Sequence, residues 1–199
     1  MPRLGPARAA ARRRQILDAA IVCFAQRGFH KSTLQDVVRQ SGLSPGSIYS
    51  HFSGKDDIIH AVIDERHRGD LRNVQRAAAA DSLAEGLSLL AEAFLPARPL
   101  PQDRAWRRLA VQLWAESLHD AKLLRAVRDG VEQPLGVLSA LLRNAQRWGE
   151  LPRGLQPRAT ARVLIAVFQG IALQQTWDDE VDADACLRTV RRLLRPVDG

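Results

Sequence analysis

The chain has 199 residues, 46% of them hydrophobic, enough to bury one full core or to join a small domain to a medium one without disulfide or metal staples. Its formal net charge is +7, and residues 1–60, with nine Lys or Arg against four Asp, hold five of those seven charges. A basic end lacking one long apolar face points to a polyanion, nucleic acid ahead of an anionic membrane, while no apolar run is long enough for a membrane span and Met1–Arg14 lacks the apolar core of a secretory signal.

Apolar residues recur at spacings of three and four along nearly the whole chain, and no segment alternates as a half-buried strand does, so the expected fold class is all-α with about nine helices. A first helix from about Arg8 to Arg27 carries the stripe Ile16, Ala20, Cys23 and Phe24, and Gly28 ends it. Ser32 and Thr33 offer N-cap oxygens, each followed three residues on by Gln35 or Asp36, and Leu34, Val37 and Val38 give a second helix that ends near Gly42. Ser44 and Pro45 restart the chain as a third, short helix. Further helices are predicted over about 54–80, 81–95, 103–129, 133–149, 157–178 and 182–194, with loops marked by Pro96, Pro99 and Pro101 and by Gly149, Pro152, Gly154 and Pro157. The two cysteines, Cys23 and Cys186, lie far apart in apolar-patterned segments, which suits reduced thiols packed in a core and a cytoplasmic setting.

The informative stretch is Thr33–Phe52, TLQDVVRQSGLSPGSIYSHF, where a short helix, a glycine-containing turn and a second capped helix occupy twenty residues with helix-turn-helix spacing. In the second of these helices only Ile48 and Phe52 form a core face. Pro, Gly, Ser and His around two apolar anchors suit a helix that enters a major groove, where small and hydrogen-bonding residues must come close to bases.

The segment from about Arg13 to Asp64 resembles the DNA-binding domain of the tetracycline-repressor (TetR) family. The likeness is carried by Phe24-Ala25 and Gly28-Phe29, Ser32-Thr33, Asp36-Val37-Val38, Gly42-Leu43-Ser44, and Ile48-Tyr49-Ser50-His51-Phe52 followed by Lys55, with Val38 standing where a smaller alanine is usual and Gly54 where a polar residue often stands. It implies a DNA-binding domain over 8–56, a helical effector-binding and dimerisation domain over 57–199, and a regulator, most commonly a repressor, that binds a palindromic operator as a homodimer and is released by a small molecule. It further implies that Thr33 and Tyr49 touch phosphates through their hydroxyls and that Lys55 neutralises a backbone charge. Gln35, Ser44, Pro45, Gly46, Ser47 and His51 would approach bases or the adjoining backbone, with Gln35 and Ser47 the better candidates for base edges. For Thr33 and Ser44, simple capping is the competing role. The arm carrying Arg3, Arg8 and Arg12–Arg14 would either reach a minor groove or be disordered.

Farther along, Trp106, Leu109, Ala110 and Leu113 form one stripe and Val111, Trp114 and Leu118 another, so both faces of that helix are expected to be buried. The resemblance implies an effector cavity among the central helices, with Phe94, Trp106, Leu109, Gln112, Leu113, Glu116, Trp148 and Phe168 as candidate lining residues, His119 a further one to inspect, and core packing the alternative for each. The segment Ala159–Trp177 is apolar nearly all round and must pack on two surfaces. Ala161, Leu164, Ile165 and Phe168, together with Leu187, Val190 and Leu194 on the last helix, are the candidates for a two-fold interface.

No paired carboxylates, nucleophile motif or phosphate loop supports an enzyme, and no cofactor is expected. His60, Asp64 and His67 share one helix face but no second cluster completes a metal site, so a solvated face is the preferred reading. The remaining alternatives are a basic helical interaction module and an all-α enzyme without a recognisable motif.

Overall fold

A computed structural model of the protein describes residues 5–96 and 100–194, so that Arg3 and Pro99 lie outside the described residues. Among these the chain is all-helical, with no strand. The helices are α1 (Pro6–Arg27), α2 (Leu34–Ser41), α3 (Pro45–Tyr49), α4 (Lys55–Ala78), α5 (Leu83–Phe94), α6 (Pro101–Ser117), α7 (Ala121–Trp148), α8 (Pro157–Gln174) and α9 (Ala183–Leu193). None of them is long and apolar enough to cross a membrane.

Their ends follow from side chains that satisfy orphan backbone groups. α1 opens with Pro6 in its first turn and stops at Gly28, whose φ of 81° an L side chain rarely adopts. Ser82 accepts from the Glu85 N–H to start α5, and Asp182 accepts from the Ala185 N–H to start α9. Where one helix was expected over 103–129 and another over 133–149, the break falls instead at residues 118–120. There the Asp120 carboxylate accepts from the N–H groups of Lys122 and Leu123, which restarts the chain as α7 and holds the Asp120 carboxyl below its usual range. α7 then runs unbroken through Pro134, which removes one helical hydrogen bond without ending the helix.

The chain forms two compact units. One unit combines Met1–Arg66 with Leu100–Leu124, taking α1 to α3, the first half of α4, and α6; the other combines His67–Pro99 with Arg125–Gly199. In the first, Ile16, Ala20, Phe24, Val37, Ile48 and Ile58 are fully buried, each large side chain contributing about 1.5–3 kcal/mol by leaving water. The second has its own core, built from Leu87 and Leu90 of α5, Leu135, Leu138, Leu141 and Leu142 of α7, Ala161, Leu164, Phe168 and Ile171 of α8, and Leu187 of α9. Within it the His67 ring lies against Gly130 of α7, so closely that a Cβ there would have no room. Among the described residues no group of three His, Cys, Asp or Glu is placed to hold a metal.

Candidate nucleic-acid interface

The loop between α1 and α2 is fixed by hydrogen bonds that begin at Gly28. Ser32, only 1% exposed, donates its hydroxyl to the carbonyls of Cys23 and Gly28 at 3.1 and 2.8 Å, so it staples the loop and leaves the capping of α2 to Thr33. Thr33 and Asp36 form a reciprocal capping box: the Asp36 N–H donates to Thr33 Oγ1 at 3.2 Å, and the Thr33 N–H and hydroxyl both donate to Asp36 Oδ2 at 2.8 Å. Arg27, at 2.6 Å, and Arg39 also pair with Asp36. These donors, led by the Thr33 backbone N–H, hold the Asp36 carboxyl down at about 2. Both donors of Thr33 are thus engaged within the protein, so Thr33 reaches a phosphate only by releasing Asp36.

Gly42, at φ 66°, closes α2 in the left-handed conformation and turns the chain into α3. Ser44 Oγ accepts from the Ser47 N–H at 3.3 Å, Pro45 occupies the first helical position, and the Ser50 hydroxyl donates to the Ser47 carbonyl at 2.7 Å. Ile48 and Phe52 are buried and pin the helix, whereas Tyr49 is 61% exposed. Gln35, Ser44, Pro45 and Gly46 are exposed as well, and Ser47 and His51 are half-buried. Lys55, opening α4, donates to the Phe29 carbonyl at 3.0 Å with its ammonium 4.5 Å from the centre of the Phe29 ring.

Arg13, which falls within the first helix predicted from about Arg8 and also among the basic residues expected either to reach a minor groove or to be disordered, lies on α1 with its guanidinium 5.4 Å from the centre of the Phe52 ring. The signal was available: Arg13 precedes Ile16 and Leu17 by three and four residues and so shares their inward face.

The residues expected to line an effector cavity fall in two groups. Trp106, Leu109, Gln112, Leu113 and Glu116 belong to the unit that contains α1 to α3, and Phe94, Trp148 and Phe168 to the other. Leu109 and Leu113 are buried, and Trp106 carries the Arg66 guanidinium 5.3 Å from its ring centre. Gln112 Oε1 accepts from the Phe29 N–H at 3.2 Å, and Glu116 pairs with His30 at 2.6 Å. Phe168 is part of its unit's core, while Trp148 is 44% exposed. Sequence reasoning did not single out Arg107, which is buried on α6 and whose pKa is lowered, first by that burial. An open groove between α1 and α2, lined by Arg14, Gln15, Asp18, Val22 and Gln40, contains none of the effector candidates.

Of the residues expected at a two-fold interface, Ala161, Leu164, Phe168 and Leu187 are buried in the chain's own core, and Ile165, Val190 and Leu194 pack partly against it. The large apolar residues that α8, the turn after it, and α9 present to solvent are Val163, Trp177 and Leu193.

Residues 16–62 match the family described as bacterial regulatory proteins, tetR family, and residues 83–197 match the BetI-type transcriptional repressor C-terminal domain. The HTH-type transcriptional repressor Rv1474c of Mycobacterium tuberculosis is 35% identical over 159 residues, covering 71% of this chain and 82% of that protein. GusR of Salmonella enterica has a solved structure with a TM-score of 0.76 at 25% identity, covering 96% of both chains. FadR of Bacillus subtilis, solved in complex with stearoyl-CoA, shares the fold with a TM-score of 0.76 at 22% identity over 92% of this chain and 97% of its own. The chain belongs to the TetR family: it is a helix-turn-helix transcriptional regulator that binds DNA, and not an enzyme.

Proposed function

We propose that the protein represses transcription by binding a palindromic operator as a homodimer, and that a small molecule releases it. The observation that carries this reading is α3, a helix of five residues held by Ile48 and Phe52 while Tyr49, Ser44, Pro45 and Gly46 face solvent. A helix so weakly invested in its own core suits the major groove, with Gln35 and Ser47 reading base edges and Tyr49 and Lys55 meeting phosphates. One such helix per chain reads only a half-site, so a symmetric site calls for two chains. Because Leu164 and Phe168 serve the chain's own core, the second copy docks on the side marked by Val163, Trp177 and Leu193. The stearoyl-CoA held by FadR in a like fold supports the small-molecule part, with Leu109, Leu113 and Trp106 as apolar candidates on α6.

The test is retention of duplex fragments by the purified protein in competition with heparin. A repressor of this kind retains selected fragments; a basic helical interaction module releases them all to the polyanion. Fluorescence of Trp106 and Trp114 then screens small molecules, and one that binds without lowering operator affinity at saturation contradicts effector release. Coupling of this kind is typically about 1–3 kcal/mol.

A further inference from the structure

We infer that Gln112 and Glu116 of α6 are positioning residues of the DNA-binding head, holding the α1–α2 loop and through it the Lys55 ammonium. The inference rests on the DNA-binding reading above, and it gives these two side chains a role other than lining an effector cavity.

Phe29 is the hub. Its N–H donates to Gln112 Oε1 at 3.2 Å, its carbonyl accepts from Lys55 Nζ at 3.0 Å, and its ring lies beneath that ammonium and edge-on to Phe24 at 5.6 Å. One residue on, His30 Nε2 meets both carboxylate oxygens of Glu116, at 2.6 and 3.0 Å. Gln112 and Glu116 stand four apart on α6 and so share one face, which grips two successive loop residues. Gly28, at φ 81°, turns the loop towards that face, and a Cβ there would stand 3.7 Å from Gln112 Oε1.

The two grips differ in weight. His30 is 76% exposed and Glu116 29%, so that pair is screened and worth little, whereas the Gln112 bond satisfies a part-buried backbone amide that is costly to strand. The Phe29 carbonyl and ring together set where the Lys55 ammonium sits. With Gln112 bonded, the Gly28–Phe29 peptide is held, the Phe29 carbonyl and ring stand only one residue's torsions away from that anchor, and Lys55 keeps donors to spare for a phosphate. Without that bond the loop swings and carries the ammonium out of register.

The test uses Gln112→Leu, which keeps the shape and removes the acceptor, Gln112→Glu, which keeps an acceptor, and Lys55→Ala, alone and combined with Gln112→Leu. Each full-length variant is titrated against a duplex recovered by the wild type from genomic fragments, at several salt concentrations, and hydrogen exchange is followed across residues 28–34. Gln112→Leu is expected to weaken binding about fivefold to tenfold, the scale of one hydrogen bond. Its salt slope should fall towards that of Lys55→Ala, and the Phe29 amide should exchange faster. Gln112→Glu should restore slow exchange. The double variant should bind no worse than Lys55→Ala, since both changes act through one ammonium. If Gln112→Leu binds as the wild type does, or if its effect and that of Lys55→Ala add in full, the inference is overturned while the DNA-binding reading stands. A wild-type protein that retains no duplex overturns both.

Discussion

Tyr49 and Lys55 offer DNA two different kinds of group, a neutral hydroxyl on a largely exposed ring and a full charge already anchored on Phe29. Phosphates are the same at every site, so Lys55→Ala is expected to weaken binding to a specific and a scrambled duplex alike and to reduce the salt slope by about 0.9 per subunit, the value of one neutralised phosphate. Tyr49→Phe should weaken both with the slope unchanged. Gln35→Ala and Ser47→Ala should instead lower the ratio of specific to scrambled binding by about 1 kcal/mol each. Titration of each variant on both duplexes over a salt series separates the two classes.

Asp36 governs the same region from inside. Its carboxyl is held at about 2 against an ordinary 3.8, chiefly by the Thr33 backbone N–H, then by the Thr33 hydroxyl and Arg39. A depressed acid contributes stability that is fully present above its unfolded value and is lost as protons bind the folded state. The melting temperature of the wild type should therefore fall between about pH 4 and pH 2, and Asp36→Asn should melt lower at neutral pH with that limb flattened. An unchanged acid limb in the variant would assign the limb to other carboxylates.

Among the elements, two helical glycines illustrate opposite demands. Gly86 of α5 is buried, and a Cβ there would come within 2.8 Å of Leu141 Cδ2 and 2.9 Å of the Ala77 carbonyl oxygen, whereas Gly136 of α7 has nothing within 4 Å. Alanine in a helix interior gains about 1 kcal/mol over glycine, but overpacking against backbone costs about 1–3 kcal/mol. Gly86→Ala is thus expected to destabilise and Gly136→Ala to stabilise by up to about 1 kcal/mol, both read by urea denaturation.

Most element boundaries were legible because they rest on local chemistry: Gly28, Thr33, Gly42, Ser44 with Pro45, and Pro157 each stop or start a helix by their own side chain or torsion. The break at 118–120 was not, because it rests on where the Asp120 carboxylate lands, on the N–H groups of Lys122 and Leu123, and α7 then continues through Pro134. The exposed half of the candidate interface was legible in the same way, from the small polar residues around Ile48 and Phe52. Its hidden half was not: the bonds from Gln112 to Phe29 and from Glu116 to His30 join residues more than eighty positions apart, and no local pattern encodes them. On α8 the apolar surround showed that two faces must be covered without showing which one the chain covers itself.

At the scale of the whole molecule, that ambiguity becomes a test of assembly. Leu164 is 2% exposed, so Leu164→Arg should unfold its unit, whereas Val163→Arg with Leu193→Arg, at 61% and 79% exposed, should leave folded monomers that lose operator affinity. Circular dichroism and sedimentation velocity at micromolar concentration tell these outcomes apart. A wild type that sediments as a monomer yet protects a palindrome would sink the dimer proposal.

The concentration of five of the seven net positive charges in residues 1–60 supplies attraction for any duplex, and sequence preference must come from the exposed face of α3 and Gln35 of α2. The most direct measurement is therefore selection of duplexes from a random pool by the full-length protein, with the winner and a scrambled control titrated at the same salt. The expected result is a two-fold symmetric consensus bound at least about a thousandfold more tightly than the control, a preference that Gln35→Ala and Ser47→Ala erode. A pool that remains random, with winner and control bound equally and with equal salt slopes, would contradict specific recognition by this helix-turn-helix.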